Sequence, residues 1–152
     1  MPRFVVYCFA LLMSLSLLAD SAWALVTHES VTPASVREKD SPFTVTAETR
    51  QDGLIHFAVT YRLPRPQYLV AHFELRDGET TLLKTDTPSF VREESATYHV
   101  AVSPKHLADS KFELSQNGFA ESGGRPVAEP GGTIFQIDLE AFGKNAPAAK
   151  AG

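Results

Sequence analysis

Three histidines lie in segments where apolar and polar residues alternate: His56, His72 and His99. We expect each of them on the solvent-facing side of a predicted strand. If the strands that contain His56 and His72 form a hairpin with a symmetric register, His56 lies opposite Glu74 and next to His72. Imidazole nitrogens and a carboxylate are ligands that Zn²⁺ and Cu²⁺ accept. The sequence therefore indicates a candidate metal site formed by His56, His72 and Glu74. The alternative is that these are ordinary surface residues.

A catalytic nucleophile has little support in the sequence. The one cysteine, Cys8, lies in the N-terminal apolar run, and the chain contains no Gly-x-Ser-x-Gly motif. His106, Asp109 and Ser110 are the residue types of a hydrolase triad, but three close neighbours in sequence rarely form this spatial arrangement. Acidic residues are plentiful, and no pair of them stands out. We therefore predict a protein that is not an enzyme and needs no cofactor, with a secreted hydrolase as a further alternative.

Two segments have features of recognition surfaces. Pro64, Arg65 and Pro66 come just before Tyr68. The two prolines favour an extended backbone, and arginine and tyrosine are frequent interface anchors. Residues 120–132, which include Arg125, form a predicted loop with four glycines and two prolines, and loops of this length are often functional. We predict that these residues bind a protein, a peptide or a glycan, the alternative being ordinary connections between strands.

The composition limits the class of protein. A chain of 152 residues is long enough for one domain with its own core. The 14 Lys and Arg residues against 18 Asp and Glu residues give a formal net charge of −4, which argues against a nucleic-acid-binding protein. One cysteine excludes an intramolecular disulfide framework and a four-cysteine zinc site.

The first 24 residues have the layout of a secretory signal peptide. Arg3 supplies the positive start, residues 4–19 are almost continuously apolar, and Ala22-Trp23-Ala24 supplies small residues for cleavage. The apolar run is shorter than the roughly 20 residues that cross a bilayer as a helix. We therefore predict cleavage after Ala24, a secreted or periplasmic location, and a mature chain without a membrane span. An uncleaved anchor is the alternative.

The remaining chain is predicted to be all-β, because β-branched and aromatic residues alternate with polar ones. We expect about seven strands in these segments: 43–48, 55–62, 68–76, 79–84, 96–102, 111–115 and 133–139. Asp52-Gly53 and Asp77-Gly78 are typical hairpin turns. Pro88 and Glu93-Glu94 delimit a short separate stretch, and Ser103-Pro104 is typical of the start of a helical turn.

This pattern predicts an antiparallel β-sandwich of immunoglobulin or fibronectin type III architecture over residues 42–142, with a small closed barrel as the alternative. Residues 25–41 are expected to be a linker or an edge strand, and residues 143–152 a disordered tail. The predicted function is that of an exported, non-enzymatic binding module. A periplasmic metal-binding accessory protein that uses the histidines is the alternative.

Overall fold

The computed structural model of the protein describes residues 26–129 and 131–149, so the predicted signal peptide lies outside the described residues. The described residues form ten strands and one short α-helix, named in chain order: β1 Val26–Val31, β2 Phe43–Thr49, β3 Ile55–Arg62, β4 Gln67–Asp77, β5 Thr80–Val91, β6 Ser95–Val102, β7 Lys111–Asn117, β8 Phe119–Ser122, β9 Arg125–Ala128, β10 Gly132–Ile137 and α1 Leu139–Lys144. Short 3-10 helices cover Ser35–Arg37 and Pro104–Asp109. Within these ranges no helix has the length and apolarity to cross a membrane.

The strands form two main sheets and one small hairpin. The five-stranded sheet has the order β1-β10-β7-β4-β5, and the three-stranded sheet has the order β2-β3-β6. Strands β8 and β9 pair with each other. All neighbouring strands are antiparallel except β1 and β10, which are parallel. The all-β prediction is confirmed, with ten strands in place of about seven.

The two main sheets share one apolar core. Alternate residues of β3 and β4 are buried, as the period of two in the sequence predicts. Phe57 and Val59 of the three-stranded sheet belong to the same buried cluster as Leu69 and Leu114 of the five-stranded sheet. Each sheet therefore has an inner face toward this core and an outer face away from it.

Three elements differ from the predicted strand pattern. The predicted strand 133–139 ends at Ile137, and Leu139 begins α1. The predicted short strand 79–84 continues past Pro88 to Val91 as β5, which is possible because β5 lies at the edge of its sheet, where proline is tolerated. The predicted loop 120–132 contains most of β8, all of β9 and the first residue of β10. The turn between β8 and β9 is formed by Gly123 and Gly124, both with positive φ.

Both ends of the described chain are attached to the body of the fold. Strand β1, in the segment that the sequence leaves open between a linker and an edge strand, lies at the edge of the five-stranded sheet. In α1, Phe142 packs into the core, and the Asp138 carboxylate caps the helix by accepting from the Ala141 amide at 3.1 Å. The Thr49 amide donates to the Pro147 carbonyl at 3.1 Å, so the predicted tail is hydrogen-bonded to the end of β2 at this residue.

Candidate functional site

The free edge of β5 is the surface with the clearest potential for binding. Strand β5 is 12 residues long and is the last strand of the five-stranded sheet. Among the described residues, it forms a ladder only with β4. Half of the ladder-forming backbone groups of a strand point to each side, so an edge strand presents N–H and C=O groups that a further strand can pair with.

Two features limit which part of this edge is regular. The register between β4 and β5 shifts at Leu75, which leaves Leu82 as an extra residue in a β-bulge. Pro88 lies further along the strand and has no amide hydrogen to donate. The stretch Leu83–Thr87 between the bulge and the proline is a regular edge of five residues. We call this stretch the β5 window.

Two adjacent leucines stand out where the bulge meets the β5 window. Leu82 is 50% exposed and Leu83 is 46% exposed, and few other large apolar residues of the described chain are exposed to this extent. A single exposed leucine is ordinary on a protein surface, but two neighbours on a free strand edge form an apolar contact point.

A groove opens beside the β5 window, between β5 of one sheet and β6 of the other. It has a volume of about 310 Å³. Leu83, Thr85 and Thr87 line one wall, together with Phe73 of β4. Tyr98 belongs to the opposite wall. A strand added to β5 would direct alternate side chains into this groove, because successive side chains point to opposite faces of a sheet.

The outer face of the β5 window carries charge. Lys84 lies opposite Glu74 of β4, and Asp86 lies opposite His72. The His72 imidazole is hydrogen-bonded through Nδ1 to the Asp86 carboxylate, and its Nε2 lies 3.7 Å from the Glu74 carboxylate. His72 therefore holds one side of Asp86, while most of the Asp86 carboxylate, whose side chain is 60% exposed, faces solvent.

The hairpin on which the metal prediction depends does not form. His56 is on β3 in the three-stranded sheet, whereas His72 and Glu74 are on β4 in the five-stranded sheet. The structure thus brings together His72 and Glu74 and separates them from His56. The physical reason is that the proline-rich connection after Arg62 carries the chain from one sheet to the other. In the described part of the chain, no group of three His, Cys, Asp or Glu side chains has a metal-binding arrangement.

His56 and His99 share the outer face of the three-stranded sheet, beside a cavity of about 400 Å³. Three of the polar side chains around this cavity, Glu48, Arg50 and His56, have partners within the chain. His56 Nε2 donates to the Asp52 carboxylate at 2.7 Å, and Arg50 Nε lies 2.6 Å from Glu48 Oε1. Because these three side chains already have partners, this larger cavity supports a binding function less well than the β5 window does.

The predicted recognition residues lie at one end of the five-stranded sheet. Pro64, Arg65 and Pro66 connect β3 to β4, and Tyr68 is on the outer face of β4, opposite Phe90. The β8–β9 hairpin, with Arg125 exposed at the start of β9, lies at the same end, since Phe119 contacts Phe90 edge to face at 4.5 Å. The topology gathers these elements around the far end of β5.

The residues that resemble a hydrolase triad have separate roles. The Ser110 hydroxyl donates to the backbone carbonyl of His106 at 2.8 Å. The Asp109 carboxylate accepts from the Gly78 amide at 3.2 Å and so ties the 3-10 helix to the β4–β5 turn. These contacts stabilise a turn and do not place a base beside a nucleophile.

The β5 window does not follow from the predicted strand pattern, in which strand 79–84 ends before a short separate stretch that Pro88 and Glu93-Glu94 delimit. A proline inside an alternating run is also the signal of an edge strand, and that interpretation would have identified β5. Comparison of the chain with protein-family models, with curated proteins and with solved structures gives no match.

Proposed function

We propose that the protein is an exported, non-enzymatic binding module that takes up an extended protein segment by strand addition at the β5 window. The observation that carries this proposal is a regular free edge, Leu83–Thr87, beside an apolar groove. In strand addition, backbone hydrogen bonds supply affinity and pockets for alternate side chains supply specificity. A row of N–H and C=O groups suits a peptide backbone, and so we favour a protein or peptide partner over a glycan.

Export and architecture are parts of the same proposal. Export rests on the signal-like layout of residues 1–24. The immunoglobulin or fibronectin type III type of sandwich rests on two sheets around one core, and the parallel pairing of β1 with β10 is compatible with it. The proposal invokes no cofactor. Pro64, Arg65 and Pro66 lie at the end of the sheet toward which a partner would extend past Pro88, because Gln67 lies opposite Val91.

The test is a selection of random peptides, displayed on phage, for binding to the purified protein expressed from its complete sequence. Binding of the selected peptides is then measured for Leu83→Lys and for a matched control, Val127→Lys, which replaces a residue that is 49% exposed on β9. We expect Leu83→Lys to abolish binding and Val127→Lys to retain it. We also expect the bound peptide to slow amide hydrogen exchange in β5. Peptides that protect another surface, or that bind Leu83→Lys unchanged, would refute the proposal.

A further inference from the structure

The charges of the β5 window are arranged symmetrically about its central residue. Lys84 and Asp86 flank Thr85, and both point to the outer face of the sheet, where they lie opposite Glu74 and His72. A positive and a negative residue at equal distances from one centre make a strand complementary to an antiparallel copy of itself. Self-complementarity of one surface patch is the requirement for a two-fold interface.

We infer that the partner at this edge is a second copy of the same chain, paired antiparallel through Leu83–Thr87 with Thr85 on the two-fold axis. This inference rests on the proposed strand addition at β5. In this register Lys84 of each copy lies opposite Asp86 of the other, so the interface gains two identical ion pairs. Opposite charges in cross-strand pairs stabilise a sheet, and like charges destabilise it.

The neighbouring registers are disfavoured by the same two residues. Moving the centre of the antiparallel pairing to residue 84 places Lys84 opposite its own copy. Moving it to residue 86 does the same for Asp86. A parallel pairing in register brings both like-charged pairs together. The pairing centred on Thr85 is therefore selected by charge, while the bulge at Leu82 and Pro88 limit its length.

The charge pattern continues across both sheets of such a pair. In one copy, Glu74 lies between Lys84 and Lys111 in register, and in the other copy, His72 lies between Asp86 and Glu113. Joining the two windows produces a row with this order: Lys111, Glu74, Lys84, then Asp86, His72 and Glu113 of the second copy. Positive and negative groups alternate along its first four positions, and its fifth is an imidazole between two carboxylates.

The inner face of the window suits the same register. Thr85 meets Thr85 on the axis, and Leu83 of each copy lies beside Thr87 of the other. Threonine pairs are favourable across strands, and each Leu83, now 46% exposed, gains the Thr87 methyl group of the other copy as a neighbour over the groove. Because only five residues of each strand pair, we expect a weak dimer that forms as the concentration rises.

The decisive experiment is sedimentation equilibrium of the purified product of the full-length chain, with single charge reversals at the window. Lys84→Asp gives a window with two negative residues, and Asp86→Lys gives one with two positive residues. We expect each reversal to weaken self-association by about tenfold or more.

An equimolar mixture of the two variants is expected to regain association, since the two negative residues of one variant then face the two positive residues of the other. Lys39→Asp, an exposed lysine outside the strands, is the matched control and should associate like the wild type.

Circular dichroism melts of each variant establish that the fold is retained, and the mixed sample tests whether the two charged windows face each other even if both single variants are less stable. Recovery in the mixture supports the inference. A wild-type protein that stays monomeric at all concentrations would refute it, and so would variants that dimerise as well as the wild type. If peptides still bind at β5 while the wild type is monomeric, only the second-copy inference fails. If neither occurs, the proposed function fails as well.

Discussion

Phe43 of β2 and Phe135 of β10 meet edge to face, with ring centroids 4.8 Å apart and ring planes at 67°. The two residues belong to different sheets, so this contact holds the three-stranded sheet against the five-stranded sheet. Tyr61 completes the cluster, with its ring centroid 4.9 Å from that of Phe43 and 5.6 Å from that of Phe135. Aromatic pairs in this geometry add to the free energy of burial, which makes Phe135 an anchor between the sheets.

We expect Phe135→Ala to lower the free energy of unfolding by about 3–5 kcal/mol, because it leaves a cavity between two sheets that cannot close over it. Urea denaturation followed by circular dichroism measures this loss. Phe90→Ala is the matched control, since Phe90 is only half-buried on the outer face and contacts Phe119. A loss for Phe135→Ala no larger than that for Phe90→Ala would contradict the assignment of Phe135 as an anchor.

Gly132 is required by the close approach of β7. Its φ is +110°, and a Cβ atom at this position would lie 2.1 Å from the Gln116 carbonyl oxygen. We expect Gly132→Ala to cost more than about 2 kcal/mol, since backbone strain and a clash with another backbone act together. Gly78→Ala is the control, because Gly78 also has positive φ but no atom lies within 4 Å of its added Cβ. Thermal melts that show equal losses for both variants would contradict this account.

Much of the fold follows from local patterns. The alternation in residues 55–62 and the Asp52-Gly53 turn correspond closely to β3 and to the β2–β3 hairpin, with Gly53 at φ 79°. The Ser103-Pro104 start corresponds to the 3-10 helix Pro104–Asp109. Patterns of this kind report which residues face a core and where the chain turns, and both are decided by a few neighbours in sequence.

The pairing of strands did not follow from local patterns. The sequence places β3 and β4 next to each other, but the chain changes sheets at Leu63, whose amide donates to the Glu94 carbonyl at 2.8 Å. Which sheet a strand joins depends on long-range packing, and this is why His56 and His72 could not be assigned to one site from the sequence. The continuity of β5 through Pro88 likewise depends on its place at an edge.

The hydrogen bonds of Asp52 predict a stability change at low pH. The Leu54 amide donates to the Asp52 carboxylate at 2.9 Å and His56 Nε2 donates at 2.7 Å, and these bonds lower the pKa of Asp52 from its ordinary value of 3.8. The stabilisation by ionised Asp52 is therefore complete above pH 3.8 and is lost as the pH falls through the lower pKa of the folded state.

We expect Asp52→Asn to be less stable than the wild type at neutral pH and to approach it as the pH falls toward 2. Urea midpoints measured across this range for both proteins test the expectation. Asp40→Asn, at an exposed position before β2, is the control and should follow the wild type throughout. A carboxyl titration by NMR that places the pKa of Asp52 at or above 3.8 would contradict the proposed cause.

Tyr61 predicts a stability change at the alkaline end. Burial, and then the negative charge of Glu29, raise the pKa of the Tyr61 hydroxyl above its ordinary value of 10.0. The stabilisation by neutral Tyr61 is complete below pH 10.0 and is lost as the pH rises through the higher pKa of the folded state.

Tyr61→Phe removes the hydrogen bond that Tyr61 Oη donates to Gln67 Oε1 at 3.4 Å, so we expect the free energy of unfolding to fall by about 1 kcal/mol at pH 7. Above pH 10 this difference should narrow, and the alkaline dependence left in the variant is ascribed to Tyr98, whose pKa is also raised by burial. Urea midpoints of both proteins from pH 7 to 11 measure the loss at neutral pH and its change at alkaline pH. Midpoints of the two proteins that differ by a constant amount over this range would contradict the role given to the Tyr61 hydroxyl.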